Sequence, residues 1–217
     1  MALAEQNLVS SLVQAVPSSR SFTLEGGETL YREGETPESV YAVTTGLVKL
    51  VSYLPDGRSR IVRLLGADSV VGFDGLVNDT HPHTAIAVNR VTGFRIPLAP
   101  LERLRTESAE LHDALLTRLH QHLQYADTWI TQFSTGPVKA RVARLVEFLT
   151  TVEDNTGDDE VQLLTCEEMA DILGVTPESV SRVLAEFKRN DILTPADGAS
   201  DLYEKDRDGL QKVADDH

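Results

Sequence analysis

The sequence predicts an α+β protein, an N-terminal β-barrel of jelly-roll type followed by a long helix and a C-terminal helix-turn-helix, and three observations carry that prediction. Between Phe22 and Pro97, short β-rich runs alternate with turn residues and show no helical periodicity. From Ala109 to Phe133, neither Pro nor Gly interrupts a helical pattern. From Thr165 to Arg182, two helix-start signals follow one another across a glycine.

Composition sets the outer limits. The chain has 217 residues, 41% hydrophobic and 25% charged, which is a globular balance. No apolar run approaches the roughly 18 residues that a membrane span requires. The start, residues 1–16, has no basic segment ahead of its apolar stretch and carries Glu5, so it does not read as an export signal and a cytoplasmic protein is expected. The one cysteine, Cys166, cannot form an internal disulfide or ligate an iron–sulfur cluster by itself, so no cluster is expected. A net charge of −14 counts against DNA binding, because contact of Lys and Arg with phosphate supplies most non-specific affinity. From Ser134 onward there are 9 Lys and Arg against 19 Asp and Glu. Cations are locally grouped there, as Lys139, Arg141 and Arg144 and as Arg182, Lys188 and Arg189.

The β-rich runs are residues 21–24, 29–35, 40–54, 59–66, 69–76, 84–91 and 92–98. Asp56-Gly57 between two apolar runs is a hairpin signal, because the pair accepts the positive φ of a tight connection. The residues before Phe22 are expected to form a short helix against the barrel. Pro97 and Pro100 close the β region, and a short helix begins near Leu101.

Residues 109–133 make a helix of about 37 Å at 1.5 Å per residue. Leu116, Leu119, Leu123, Ala126, Ile130 and Phe133 recur at alternating steps of three and four, a heptad-like seam expected to face a second copy of the chain. Leu111, Leu115, Tyr125 and Trp129 form a second seam beside it. The alternative is a core helix of a monomer. Gly136-Pro137 then breaks the helix and is expected to act as a hinge, after which helical spacing resumes from Val138 to Val152. Residues 153–160 read as a solvated acidic turn. The expected divisions are a barrel sensor domain at 1–108, a dimerisation helix and hinge at 109–135, and a DNA-binding domain at 136–217.

The helix-turn-helix rests on local chemistry. Thr165 and Glu168 have the spacing of a capping box, and Thr176 followed by Pro177 marks a second helix start. Gly174 between them can take the positive φ that ends the first helix. Met169, Ala170, Leu173, Val175, Val180, Val183 and Leu184 supply the apolar contact between the two helices. Thr176, Pro177, Glu178, Ser179, Ser181 and Arg182 are left to face a major groove, with Lys188 and Arg189 near the far end of the second helix. Arg182 can donate twice to guanine, Glu178 can accept from a cytosine amino group, and Ser181 can reach either edge.

With these residues in view, the whole chain resembles the Crp/Fnr family of bacterial transcription regulators. Gly34-Glu35, residues 40–49, Asp56-Gly57-Arg58 and residues 71–76 fall in the family's barrel order, and Glu178, Ser181 and Arg182 are similar to the Fnr branch's Glu-x-x-Ser-Arg pattern. The resemblance implies a cyclic-nucleotide-binding-like barrel, a long dimer helix and a winged helix-turn-helix. It also implies a homodimer on double-stranded DNA carrying an inverted repeat of TTGAT-like half-sites, RNA polymerase as a partner, and no enzymatic activity. An effector pocket would then involve Gly72, Phe73, Asp74, His83 and Thr84. The family's ribose-binding Glu and phosphate-binding Arg are replaced there by Phe73 and His83, so cAMP binding by the usual route is not expected. The wing, residues 196–201, carries no cation.

Two rival classes stay open. One is a sensor or protein-interaction module with weakened or lost DNA binding, which the acidic balance favours. The other is a cupin-like metalloprotein, suggested by His81-Pro82-His83 but lacking a Glu at positions 84–88. The same histidine pair leaves haem as a weak option, with a loop or barrel-surface role the simpler expectation for both rings.

Overall fold

The computed structural model describes residues 8–107, 109–152, 159–197 and 201–215. The acidic turn expected at 153–160 and the wing at 196–201 therefore lie partly outside the described residues, as do the side chains of Leu111, Leu115 and Leu119. The chain divides into two compact units, Met1–Leu123 and Gln124–His217.

The first unit opens with α1 (Leu8–Ala15), followed by eight strands and a 3-10 turn. The strands are β1 (Arg20–Leu24), β2 (Thr29–Tyr31), β3 (Ser39–Thr45), β4 (Val48–Tyr53), β5 (Ser59–Leu65), β6 (Val70–Val71), β7 (Thr84–Ala87) and β8 (Val91–Pro97). They form two antiparallel four-stranded sheets, in the orders β1-β8-β3-β6 and β2-β7-β4-β5. Tyr31, Val43, Val48, Leu50, Val71, Ala85 and Val91 make a core drawn from both sheets. A second core, of Val40, Ala42, Val70 and Ile96, is covered by Val9, Leu12 and Val16 from the N-terminal helix region and by Leu98 and Leu101 of α2 (Leu98–Glu107). Alternation along β3 and β8 lets one strand feed both cores, which is what a two-layer barrel asks of its strands.

The single run expected over residues 40–54 is two strands lying in different sheets. Gly46 makes the change of sheet: it takes φ +86, and a Cβ there would sit 2.3 Å from the Arg90 carbonyl oxygen. The Asp56-Gly57 hairpin joins β4 to β5, with Leu54 N–H donating to Arg58 O at 2.8 Å and Gly57 at φ +83.

The second unit contains the end of α3 (Ala109–Phe133), then α4 (Val138–Val152), β9 (Glu160–Gln162), α5 (Cys166–Leu173), α6 (Pro177–Arg189), β10 (Leu193–Pro195), β11 (Leu202–Lys205) and α7 (Arg207–Ala214). The three strands form an antiparallel sheet in the order β10-β11-β9. The core is built on α4, whose Ala140, Val142, Ala143, Leu145, Val146 and Leu149 are all buried. Tyr125, Trp129 and Phe133 of α3 pack around Phe148 of α4, with ring centroids 5.3–5.9 Å from the Phe148 ring. That cluster is why the division falls inside α3 and not at the glycine-proline break.

Phe133 departs from its expected place. It is 1% exposed and sits in this aromatic cluster, so it belongs to the second unit's core and not to an outward seam. Leu116, Leu123 and Ile130 remain exposed at 53%, 61% and 61%, while Ala126 is half-buried.

Gly93 marks the tightest point of the first sheet, where a Cβ would lie 2.1 Å from the Ala42 carbonyl oxygen. Gly93→Ala is expected to destabilise the barrel by about 1–3 kcal/mol, read as a lower urea midpoint at unchanged slope. An unaltered midpoint would show that β3 and β8 do not approach as closely as described.

Candidate nucleic-acid interface

The two helix starts of the second unit are held as their sequences require. Thr165 Oγ1 accepts from Glu168 N–H at 3.2 Å while Glu168 Oε2 accepts from Thr165 N–H at 3.0 Å, a complete capping box on α5. Gly174 closes that helix in the left-handed region, at φ 65 and ψ 39, and both its N–H and that of Val175 donate to Ala170 O. Thr176 then caps α6 by accepting from Ser179 N–H at 3.4 Å, with Pro177 in the first turn, where no amide donor is needed. Two residues, Val175 and Thr176, thus separate the closing glycine from the second helix.

The inner face of α6 is fixed by Val180, Val183, Leu184 and Phe187, all buried, against Met169, Ala170, Ile172 and Leu173 of α5 and the apolar face of α4. Four buried residues at helical spacing leave the opposite arc no core to enter. Glu178, Ser181, Arg182, Lys188 and Arg189 are exposed on it. Ala185, one turn beyond Ser181, is exposed on the same arc and was not singled out from sequence; its small side chain lets a flat surface approach α6 closely.

Not every expected contact residue is equally available. Thr176 is exposed, but Pro177 and Ser179 are half-buried, and the Ser179 hydroxyl lies 3.2 Å from Thr176 Oγ1 within the cap. Ser179 is therefore part of the helix start itself. The carboxyl of Glu178 is held below its ordinary value, first by its own backbone N–H and then by the Thr176 hydroxyl, so it is an anion and an acceptor at neutral pH. Lys188 Nζ donates to Tyr203 Oη at 2.7 Å and lies 4.4 Å from that ring's centroid, joining the end of α6 to β11.

The other cluster of cations is spent inside the fold. Lys139 pairs with Glu186 at 2.7 Å, holding α4 to α6. Arg141 donates to the carbonyl oxygens of Phe133 and Leu173, and Arg144 donates to those of Gln132, Thr135 and Ala214. Nothing in local spacing distinguishes these three from surface cations, since each partner lies 8 to 70 residues away.

In the barrel, the expected pocket residues fall on two segments, Gly72 to Asp74 at the 3-10 turn and His83 with Thr84 at the start of β7, and His81 meets the first of them. Gly72, at φ 84, turns the chain into the 3-10 segment Phe73–Leu76, which carries Asp74. Asp74 Oδ2 lies 2.8 Å from His81 Nδ1, and the His81 ring stacks on Tyr31 with centroids 3.6 Å apart. His81 lies in the loop before β7, one of its two expected places, but at 3% exposure it is not on the barrel surface: stacking on a buried phenol ring and pairing with a carboxylate draw it inward. Burial, and then the charge of Asp74, push the Tyr31 phenol well above its ordinary range. Thr84 is buried, its hydroxyl accepting from Glu33 N–H at 3.0 Å. His83 is half-buried, burial depresses its basicity, and its Nδ1 has no hydrogen-bond partner among the described residues. Phe73 packs outward against the α1–α2 core. Among the described residues, no group of three or more His, Cys, Asp or Glu is placed to hold a metal ion, and no helix is long and apolar enough to cross a membrane.

Comparison with known proteins accounts for both units. The family model described as a cyclic nucleotide-binding domain matches residues 22–108, and that described as a Crp-like helix-turn-helix domain matches residues 141–213. The chain is 26% identical over 178 residues to the fumarate and nitrate reduction regulatory protein of Vibrio cholerae, covering 81% of this chain and 71% of that one. It is 29% identical over 171 residues to the transcriptional regulator LdrP of Thermus thermophilus, covering 78% and 85%. Among solved structures, a CRP-family transcriptional regulator from Thermus thermophilus superposes with a TM-score of 0.77 at 26% identity, over 89% of this chain and 96% of that one. FixK2 of Bradyrhizobium japonicum shares the fold, with a TM-score of 0.79 at 24% identity over 92% and 98%. A barrel matching the cyclic nucleotide-binding domain, followed by a capped helix-turn-helix matching the Crp-like one, makes this chain a member of the Crp/Fnr family of DNA-binding transcription regulators.

Proposed function

We propose that the protein is a homodimeric regulator that reads an Fnr-like inverted repeat by inserting α6 into the major groove of each half-site. The observation that carries this reading is the exposed arc of Glu178, Ser181, Ala185 and Arg182 on a helix whose other side is locked by four buried residues. Arg182 is the guanine reader, Glu178 accepts from a cytosine amino group, and Ser181 serves either edge. Lys188 and Arg189, in the last turn, contact phosphate, with Lys188 oriented by Tyr203.

Dimerisation is supported by Leu116, Leu123 and Ile130, three large aliphatic side chains exposed at intervals of seven residues along α3. Leu119 and Ala126 fall on the same seam by sequence. A twofold pair of α6 helices would address half-sites about 34 Å apart, one turn of DNA. RNA polymerase as a partner, the cytoplasm as location and the absence of enzymatic activity follow from the family reading.

The barrel is the place for an effector, and Gly72, Asp74, His83 and Thr84 are the candidate contacts. The residues present do not fit the usual cyclic-nucleotide chemistry: position 83 offers an imidazole of lowered basicity in place of a guanidinium, and Phe73 turns to the α1–α2 core.

In gel-shift titrations on a TTGAT inverted repeat, Arg182→Ala is expected to lose about 1–3 kcal/mol of discrimination at the guanine while dimer mass in solution stays unchanged. Unchanged base preference would remove Arg182 from the reading role, and no wild-type binding at low salt would overturn the regulator reading. Lys188→Ala should weaken binding equally on all sequences and lower the slope of log affinity against log salt by about 1. A loss confined to one sequence would instead make Lys188 a base reader.

A further inference from the structure

We propose that Arg141 and Arg144 are positioning residues for DNA reading, which fasten the end of α3 to the helix-turn-helix and so make the turn at Gly136-Pro137 a rigid elbow. Both lie on one face of α4, one turn apart, and both are half-buried. Arg141 donates through Nε to Phe133 O, the last residue of α3, at 2.6 Å, and through Nη2 to Leu173 O, the last residue of α5. Arg144 donates through Nη1 to Gln132 O at 3.1 Å and Thr135 O at 2.9 Å, and through Nε to Ala214 O, the last residue of α7, at 2.8 Å. Three helix C-termini thus converge on two guanidinium groups.

The chemistry suits the residue type. The final carbonyls of a helix lack intrahelical partners and carry the negative end of the helix dipole. A guanidinium is always charged and holds its donors in a planar fork, so it can satisfy carbonyls from two helices at once, which an ammonium cannot do in the same geometry. Gly136 fits the same arrangement: at φ +85 it is left-handed, and a Cβ there would approach Arg144 Nη2 to 3.2 Å. The Tyr125, Trp129, Phe133 and Phe148 rings pack together between the same two helices, α3 and α4.

Arg141 has the more direct consequence for reading. Leu173 immediately precedes Gly174, where the chain turns towards α6, so one side chain links the end of α3 to that turn. On the homodimer reading proposed above, on which this inference rests, the direction of α6 follows the last turns of α3. The distance between the two α6 helices, and hence the half-site spacing, is then held by Arg141.

Trp129, the only tryptophan in the chain, lies in the joint and reports on it without DNA. The experiment compares the wild-type protein with Arg141→Ala and Arg141→Lys, after far-UV spectra and melting curves establish which variants fold. Tryptophan emission is expected to move to longer wavelength, with stronger acrylamide quenching, in both variants. Gel shifts on inverted repeats with the half-site spacing changed by one base pair are expected to show the wild-type spacing preference reduced about three- to tenfold, with base preference within each half-site retained. Arg141→Lys decides the matter if Arg141→Ala does not fold. Unchanged Trp129 emission and quenching would overturn the rigid elbow. A shifted emission with unaltered spacing preference would overturn its role in reading. Failure of the wild-type protein to bind any repeat would sink the regulator reading, while the Trp129 comparison would still decide whether Arg141 holds the joint.

Discussion

The packing of one face of α6 is the constraint on which the functional half of the molecule depends. Val180, Val183, Leu184 and Phe187 commit that face to the core made by α4 and α5, so the helix cannot rotate about its axis without exposing apolar surface. Fully burying one such side chain is worth about 1.5–3 kcal/mol, and four of them fix the helical phase far more firmly than any cap could. Everything on the opposite arc inherits its direction from this choice. The caps set where the helices begin, Gly174 sets the turn, and Lys139 with Glu186 ties α6 back to α4, but these act on a helix whose rotation the core has already decided.

Legibility in the sequence followed the distance over which each interaction acts. The capping box of Thr165 and Glu168, the Thr176-Pro177 start and the Asp56-Gly57 hairpin are contacts between residues close in the chain, and each stands in the structure as its spacing suggests. Gly46 failed to register as a break because a lone glycine inside an apolar run carries no turn partner. Only the approach of Arg90, in the turn between β7 and β8, shows why it must be glycine. His81 lies in a loop, as a histidine beside a proline suggests, but its burial did not register for the same reason: the Tyr31 ring and Asp74 carboxylate that draw it inside are 50 and 7 residues away. Phe133 fell in heptad register with Leu116, Leu123 and Ile130, yet the aromatic ring of Phe148 claims it. Periodicity reports that a residue is apolar on a given face; it does not say which of two partners will cover that face.

The joint after α3 shows a related limit. Gly136-Pro137 has the composition of a hinge, because glycine is free in φ and proline interrupts the hydrogen-bond ladder. Local freedom matters only where nothing else restrains the segment. Here the carbonyls released by the break are taken up by Arg141 and Arg144, and the same positive φ that makes glycine necessary brings the chain against the Arg144 guanidinium. On the elbow proposed above, a residue type that permits motion in isolation serves close packing instead.

The distribution of charge then explains how so acidic a chain can carry a DNA-reading helix. Lys139, Arg141 and Arg144 are engaged in ion pairing and helix capping, which removes them from the store of cations available to phosphate. Cations on the exposed arc of α6 are Arg182, Lys188 and Arg189, set among neighbours of opposite sign. Affinity for an arbitrary duplex scales with the number of phosphates neutralised, whereas discrimination between sequences comes from base contacts. On the reading proposed above, a helix that presents one guanidinium and one ionised carboxylate to the bases trades general affinity for selectivity. On that same reading, the net charge of −14 opposes general attraction to the duplex and leaves the choice of site to the base contacts.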